Sequence, residues 1–245
     1  MACEEVPARP AALHTGPGKT RQGRSRNPMN PNNSLKPSYC IDSDDGHVAE
    51  TSRRLTAGCR SERARARRLF EFVRDEIAYN FAPDVRGREH FRASHTLQMG
   101  NGFCMQKAAL FAALCRASGV PARISFQDIV DYKIVGPFLR LMGTNELIHH
   151  GMNAVFLEGR WVRADCTLDR SLSERKGYRL VQFDGARDAL LPATDHKGQP
   201  HFTIKKQYGL YHDTPQFAMR SMLDWIQEMP YGDWRRLVHG KDGSM

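Results

Sequence analysis

NGFCMQKAALFAALCRASGVPAR, residues 101–123, sets a cysteine directly after a Gly-bearing turn and at the head of a long apolar segment. Cys104, Ala108, Phe111 and Cys115 fall at offsets 0, 4, 7 and 11, so they share one face of a helix, and that face is expected to point inward. Ser118-Gly119, with Pro121 just beyond, is a helix stop. A thiol in the first turn of a helix meets unpaired N–H groups and the positive end of the macrodipole, a setting that favours thiolate. The competing reading is a small buried hydrophobe, and it suits Cys115, three turns deeper, better than Cys104. Asn101-Gly102 supplies a tight approach, with the small Gly102 leaving room for substrate.

A thiolate catalyst needs an imidazole beside it and a third group to orient that imidazole. The stretch HHGMNAVFLEGRWVRADCTLD, residues 149–169, reads as a β-hairpin with its turn at Glu158-Gly159. With a two-residue turn there, Leu157 faces Arg160, Phe156 faces Trp161, and the ladder extends to Met152 opposite Asp165. Side chains alternate along a strand, so His150 shares the face of Asp165 on the diagonal and His149 points to the other side. Taken singly, an inward histidine is more often a satisfied core residue, and Asp165 has an alternative role capping the turn at Thr167-Leu168. The combination in the chain order Cys104, His150, Asp165 is harder to assign to packing alone.

The bulk composition fits an ordinary globular protein, with 40% hydrophobic and 26% charged residues in 245. No apolar run reaches membrane-spanning length, and MACEEVPARPAALHTG lacks the continuous apolar core of a secretory signal, so a cytoplasmic location and no membrane partner are expected. Six cysteines, at 3, 40, 59, 104, 115 and 166, form no CxxC pair and no metal-ligand spacing, which argues for free thiols and against a metal or cofactor. The net charge of +9 raises a nucleic-acid reading. Seven arginines crowd residues 53–68, but without interleaved aromatics or a reader motif they are expected to form a solvated helix face, and no nucleic-acid partner is expected.

Residues 1–38 hold six prolines and no Phe, Trp or Tyr, and are expected to be a disordered, basic, Pro-rich segment whose removal leaves stability nearly unchanged. Met29 is a second candidate for the translation start. A single domain is expected over 39–245. Within it the periodicity predicts an amphipathic helix over 61–79, the helix of Cys104, a strand over 122–130, an irregular stretch over 131–147, the hairpin, short strands to about 207, and a final helix opened by Thr214-Pro215.

The segment GNGFCMQKAALFAALCRASGVPAR, residues 100–123, resembles the signature of the transglutaminase-like superfamily, in which G-x-C opens a helix ending R-A-x-G-[IV]-P-A-R. HGMNAVFLEGRWVRADCT, residues 150–167, is similar to that family's second block, H-x-W-x-E-V-x-L-x-G-x-W-x-x-x-D-x-T. The resemblance spans about residues 45–170, and residues 178–215 look like the tail of uncharacterised bacterial members. It implies an α+β, papain-like core with the nucleophile helix packed on an antiparallel sheet, and Cys104 as nucleophile, His150 as acid–base and Asp165 as orienter. Met152 stands where Trp is usual, Ala154 where Glu is common and Cys166 where Pro often follows the Asp; these changes bear on the cleft rather than on the triad.

The expected activity is thiol-dependent acyl transfer on a carboxamide or peptide bond of a protein, peptide or small amide, through a thioester. Hydrolysis is favoured over amine transfer because no D-x-[DN]-x-[DN]-G calcium run is present. The alternatives are a non-catalytic peptide-binding groove and a protein-glutamine transglutaminase. The Cys104 N–H is one oxyanion donor, and Gln98 and Tyr79 are the side-chain candidates for the second.

Overall fold

The computed structural model describes residues 30–83, 85–228 and 230–239. Its centre is the helix α4 (Cys104–Ala117), preceded by α1 (Gly46–Thr56), α2 (Glu62–Asp75), the short strand β1 (Ala78–Tyr79), α3 (Ala93–Met99) and β2 (Asn101–Gly102). After α4 come β3 (Ala122–Asp131), α5 (Gly136–Met142), β4 (Glu146–Leu157), β5 (Arg160–Ala164), α6 (Arg170–Lys176), β6 (Phe202–Tyr211), α7 (Gln216–Glu228) and α8 (Tyr231–His239). Four strands form an antiparallel sheet in the order β5-β4-β3-β6, and α4 packs on β3 and β4 with α1, α2 and α3 around it. This is an α+β architecture with the Cys104 helix laid on an antiparallel sheet.

The sequence pattern predicts an inward stripe on α4, but the helix is enclosed on every side: Met105 to Arg116 are all buried. Enclosure explains two charges in an otherwise apolar helix. The Lys107 ammonium is fully buried and donates to the carbonyls of Ile77 at 2.6 Å and Arg74 at 3.1 Å. Those carbonyls lie at the C-terminal end of α2, where they have no partner within the helix. Lys107 supplies one, and burial pushes its own pKa down to about 8. The Arg116 guanidinium likewise donates to the carbonyls of Ala122, Lys36 and His212.

Lys107 also accounts for a helix that ends early. Periodicity continues α2 to Tyr79, but the helix stops at Asp75, and Ala78–Tyr79 instead pairs in parallel with Asn101–Gly102. The effect is to lay Tyr79 beside the entrance to α4. Gly102 has a packing reason as well: a Cβ there would come within 3.0 Å of Gln106 Cβ and 3.1 Å of Thr96 Cγ2.

The hairpin of β4 and β5 has the register its turn demands, with Leu157 opposite Arg160, Phe156 opposite Trp161 and Val155 opposite Val162. Glu158 and Gly159 both take positive φ, 51° and 84°, the signature of a type I′ turn. The ladder ends one pair earlier than expected, at Asn153 opposite Ala164; the Asp165 N–H turns away to the Ala189 carbonyl at 2.8 Å.

Part of the segment 1–38 packs on the fold. Residues 31–35 form a 3-10 turn with Ser34 fully buried, and the Ser34 hydroxyl accepts from Arg123 Nε at 2.8 Å. Residues 1–29, most of the segment expected to be disordered, lie outside the described residues. Deleting residues 1–38 is therefore expected to cost about 1–3 kcal/mol, because Arg116 loses the Lys36 carbonyl and Arg123 loses Ser34. Chemical denaturation of the truncated chain checks this, and an unchanged midpoint contradicts it.

Candidate active site

Cys104 is the first residue of α4, half-buried, and opens on a cavity of about 890 Å³. The turn before it is fixed by Gln106, whose Oε1 accepts from the Phe103 N–H at 3.2 Å and whose Nε2 donates to the His90 carbonyl at 2.7 Å. The strand β4 crosses this end of the helix at Gly151. A Cβ at Gly151 would come within 2.8 Å of Met105 Cα and 3.1 Å of Met105 N, both backbone atoms that cannot swing aside. Glycine there lets the strand approach closely enough for its neighbour, His150, to reach the thiol. Gly151→Ala is expected to lower stability by about 1–3 kcal/mol through overpacking, read as a fall in the thermal midpoint.

His150 is buried, and its Nε2 lies 2.7 Å from Asp165 Oδ2. That leaves Nδ1 available to Cys104, which lines the same cavity and whose sulfur favours charge on the ring. Burial opposes charge on the imidazole, but the Asp165 carboxylate and the Cys104 sulfur outweigh it and raise His150 to about 10. Asp165 is fully buried, and its second oxygen, Oδ1, accepts from the Thr167 N–H at 3.1 Å. The turn-capping role and the histidine contact thus coexist on one carboxylate.

His149 goes elsewhere. β4 carries an extra residue where it passes Asp128 of β3: Gln127 pairs with His150 but Ile129 pairs with Leu147. His149 takes a φ of 58° at this bulge, and its N–H donates to Asp128 Oδ1 at 3.0 Å. Its ring lies against Tyr208 and Phe217, with centroids 5.1 and 5.0 Å away. Alternation along the strand anticipated that the two histidines diverge, and the bulge, which alternation cannot reveal, is what holds them apart.

The two oxyanion candidates part company. Gln98 is exposed near the end of α3 and is not among the residues that line the cavity. Tyr79 lines the cavity with Cys104. Burial, and then the nearby Cys104, push its phenol well above the usual tyrosine range, so it remains a neutral O–H donor. The other buried thiols are held in the neutral form: burial pushes Cys40 and Cys166 up to about 12 and raises Cys115 well above the usual thiol range. Among the described residues, no group of three His, Cys, Asp or Glu side chains is placed to hold a metal ion, and no helix is long and apolar enough to cross a membrane.

No curated protein matches the chain. Among solved structures, one from Cytophaga hutchinsonii, provisionally named a cysteine protease, is 16% identical with a TM-score of 0.43, covering 73% of this chain and 53% of its own. The periplasmic domain of TgpA from Pseudomonas aeruginosa, bound to ethylmercury, is 21% identical with a TM-score of 0.39, covering 58% of this chain and 50% of its own. The chain spans about half the length of each. The model of the transglutaminase-like superfamily matches residues 49–166, a span that contains α4, β4 and β5 and reaches one residue past Asp165. That matched domain, which carries Cys104, His150 and Asp165 together, is a domain of the transglutaminase-like superfamily.

Proposed function

We propose that this protein is a thiol-dependent acyl-transfer enzyme that cleaves a carboxamide or peptide bond. One observation carries the reading: a buried imidazole meets a fully buried carboxylate through Nε2 and shares the wall of a large cavity with the half-buried thiol of Cys104. The Cys104 sulfur attacks the substrate carbonyl carbon. Negative charge builds on the carbonyl oxygen, where the Cys104 N–H and the Tyr79 phenol are the proposed donors. The C–N bond then breaks as His150 passes its proton to the departing amine, leaving a thioester. Water attacks the thioester, His150 takes a proton from it, the C–S bond breaks, and the acid leaves with the thiol restored.

Asp165 holds the ring in the tautomer and orientation that serve both steps, and it stabilises the imidazolium. Because the folded site raises His150 to about 10, the ring keeps its proton through neutral pH. The general acid is lost only as pH rises through that value. kcat/KM is accordingly expected to fall on the alkaline side with a midpoint near 10, measured as a pH–rate profile.

The direct test is a panel of glutaminyl, peptidyl and small-molecule amides followed by mass spectrometry. An acyl adduct on Cys104 with release of free acid supports the hydrolytic reading, and full activity in Cys104→Ala overturns it. Product mass in the presence of a primary amine separates water from amine as the acceptor. Binding of the same amides without turnover would instead favour the non-catalytic groove.

A further inference from the structure

Beyond the Cys104 end, the cavity wall contains one carboxylate with no counter-ion in bonding contact. Asp131, the last residue of β3, lines the same cavity as Cys104, Tyr79 and His150 and is mostly buried, with 16% of its side chain exposed. Among the described residues its carboxylate accepts one hydrogen bond, from the Lys133 N–H to Oδ1 at 2.9 Å. The cation that could neutralise it is committed elsewhere: the Lys133 ammonium is paired with Asp195 Oδ2 at 2.7 Å.

The neighbouring imidazole does not neutralise it either. His201 is fully buried between Tyr178 and Phe202, with ring centroids 4.2 and 3.9 Å away, and neither ring nitrogen has a hydrogen-bond partner. Its Nε2 stands 3.9 Å from Asp131 Oδ1, and burial, with Lys133 next, pushes it down to about 4, so it carries no charge at neutral pH. Burial accordingly raises Asp131 itself to about 6. A second wall acid, Glu146, is already paired with Lys205 at 2.7 Å. The remaining wall cations are Lys176, on α6 and partly exposed, and the His150 imidazolium, whose charge reaches Asp131 through space but which is paired with Asp165 at 2.7 Å.

A mostly buried carboxylate that His150 and Lys133 stabilise only through space, each being bonded to another acid, favours a cation brought in by a ligand. The walls suit one: Tyr132, Tyr178 and Phe202 line the cavity alongside Asp131, and aromatic faces attract ammonium and guanidinium groups. We infer that Asp131 is an anionic subsite of the Cys104 cavity, and that the acyl donor admitted there carries an ammonium or guanidinium group. The subsite itself is independent of the chemistry at Cys104, whereas the term acyl donor rests on the function proposed above. Along β3 the carboxylate sits four residues beyond Gln127, the partner of His150. The subsite therefore lies along the cavity wall from Cys104, near enough for Asp131 to act on His150 and Tyr79 through space, and it receives a cation carried on a side chain of the donor.

Titration calorimetry of the full chain with benzamidine, a planar cation, and benzamide, its neutral counterpart, tests the subsite without requiring turnover. Benzamidine is expected to bind about tenfold more tightly at low salt, with the advantage shrinking as salt is added. Asp131→Asn should bring the two affinities together, and Glu146→Gln should leave their ratio unchanged. Bound benzamidine should also slow alkylation of Cys104, placing the ligand in this cavity. Equal affinities, no binding of either compound, or a preference that survives Asp131→Asn overturns the inference. If Asp131→Asn fails to fold, the wild-type ratio and its salt dependence still decide. A benzamidine preference in a chain that hydrolyses no amide would sink the proposed reaction and leave the subsite standing.

Discussion

His150→Ala is expected to lower kcat/KM by about 10³–10⁴-fold, and Asp165→Asn by a similar order, with the fold retained in both. The asparagine keeps the shape of Asp165 and leaves Thr167 its acceptor, but it presents no carboxylate to the imidazolium across the 2.7 Å contact with Nε2. The two changes combined should cost little more than either alone, because members of such a set act as a unit. His149→Ala is the control. Its ring packs on Tyr208 and Phe217 and takes no part in the Asp165 contact, so the rate should stay within about threefold while some packing energy is lost. Kinetics of the four variants on one amide substrate settle the assignment. A lethal His149→Ala beside a tolerated His150→Ala would reverse it.

Tyr79→Phe is expected to lower kcat by about 10²-fold with little change in KM, the pattern of a donor used only in the transition state. The ring itself does structural work against Phe81, edge-on with centroids 4.5 Å apart, and phenylalanine preserves that contact. Stability should therefore hold while the rate falls. Gln98→Ala should leave the rate unchanged, since Gln98 is exposed and outside the cavity. Equal losses from the two substitutions would remove Tyr79 from the reaction.

The parts of the site that were legible in the sequence are those whose partners are close in the chain. The helix of Cys104 announces itself through its glycine-bearing start and its Gly-Pro stop, and the hairpin register follows from a two-residue turn at Glu158-Gly159. The parts that were not legible depend on distant residues. The end of α2 is set by the Lys107 ammonium, thirty residues further on, so periodicity overran it and placed Tyr79 in a helix. β6 pairs with β3 across some eighty residues, and the bulge beside His149 is held by Asp128 and, through Asp128, by Tyr208. Residues 30–38 lacked aromatics and read as disordered, yet their carbonyl and hydroxyl groups serve Arg116 and Arg123, which composition cannot register. Spacing from Cys104 points to Gln98, but spacing carries no information on exposure, and Gln98 is exposed near the end of α3.

The claim on which the account rests is that Cys104 is the reactive thiol and that His150 makes it so. Site-resolved mass spectrometry of the folded chain during brief iodoacetamide treatment at neutral pH measures this directly. Cys104 should be alkylated first, ahead of the partly exposed Cys59 and far ahead of the buried Cys40, Cys115 and Cys166, and His150→Ala should slow that labelling sharply. Faster labelling of Cys59 or Cys166, or a Cys104 rate indifferent to His150→Ala, would contradict it.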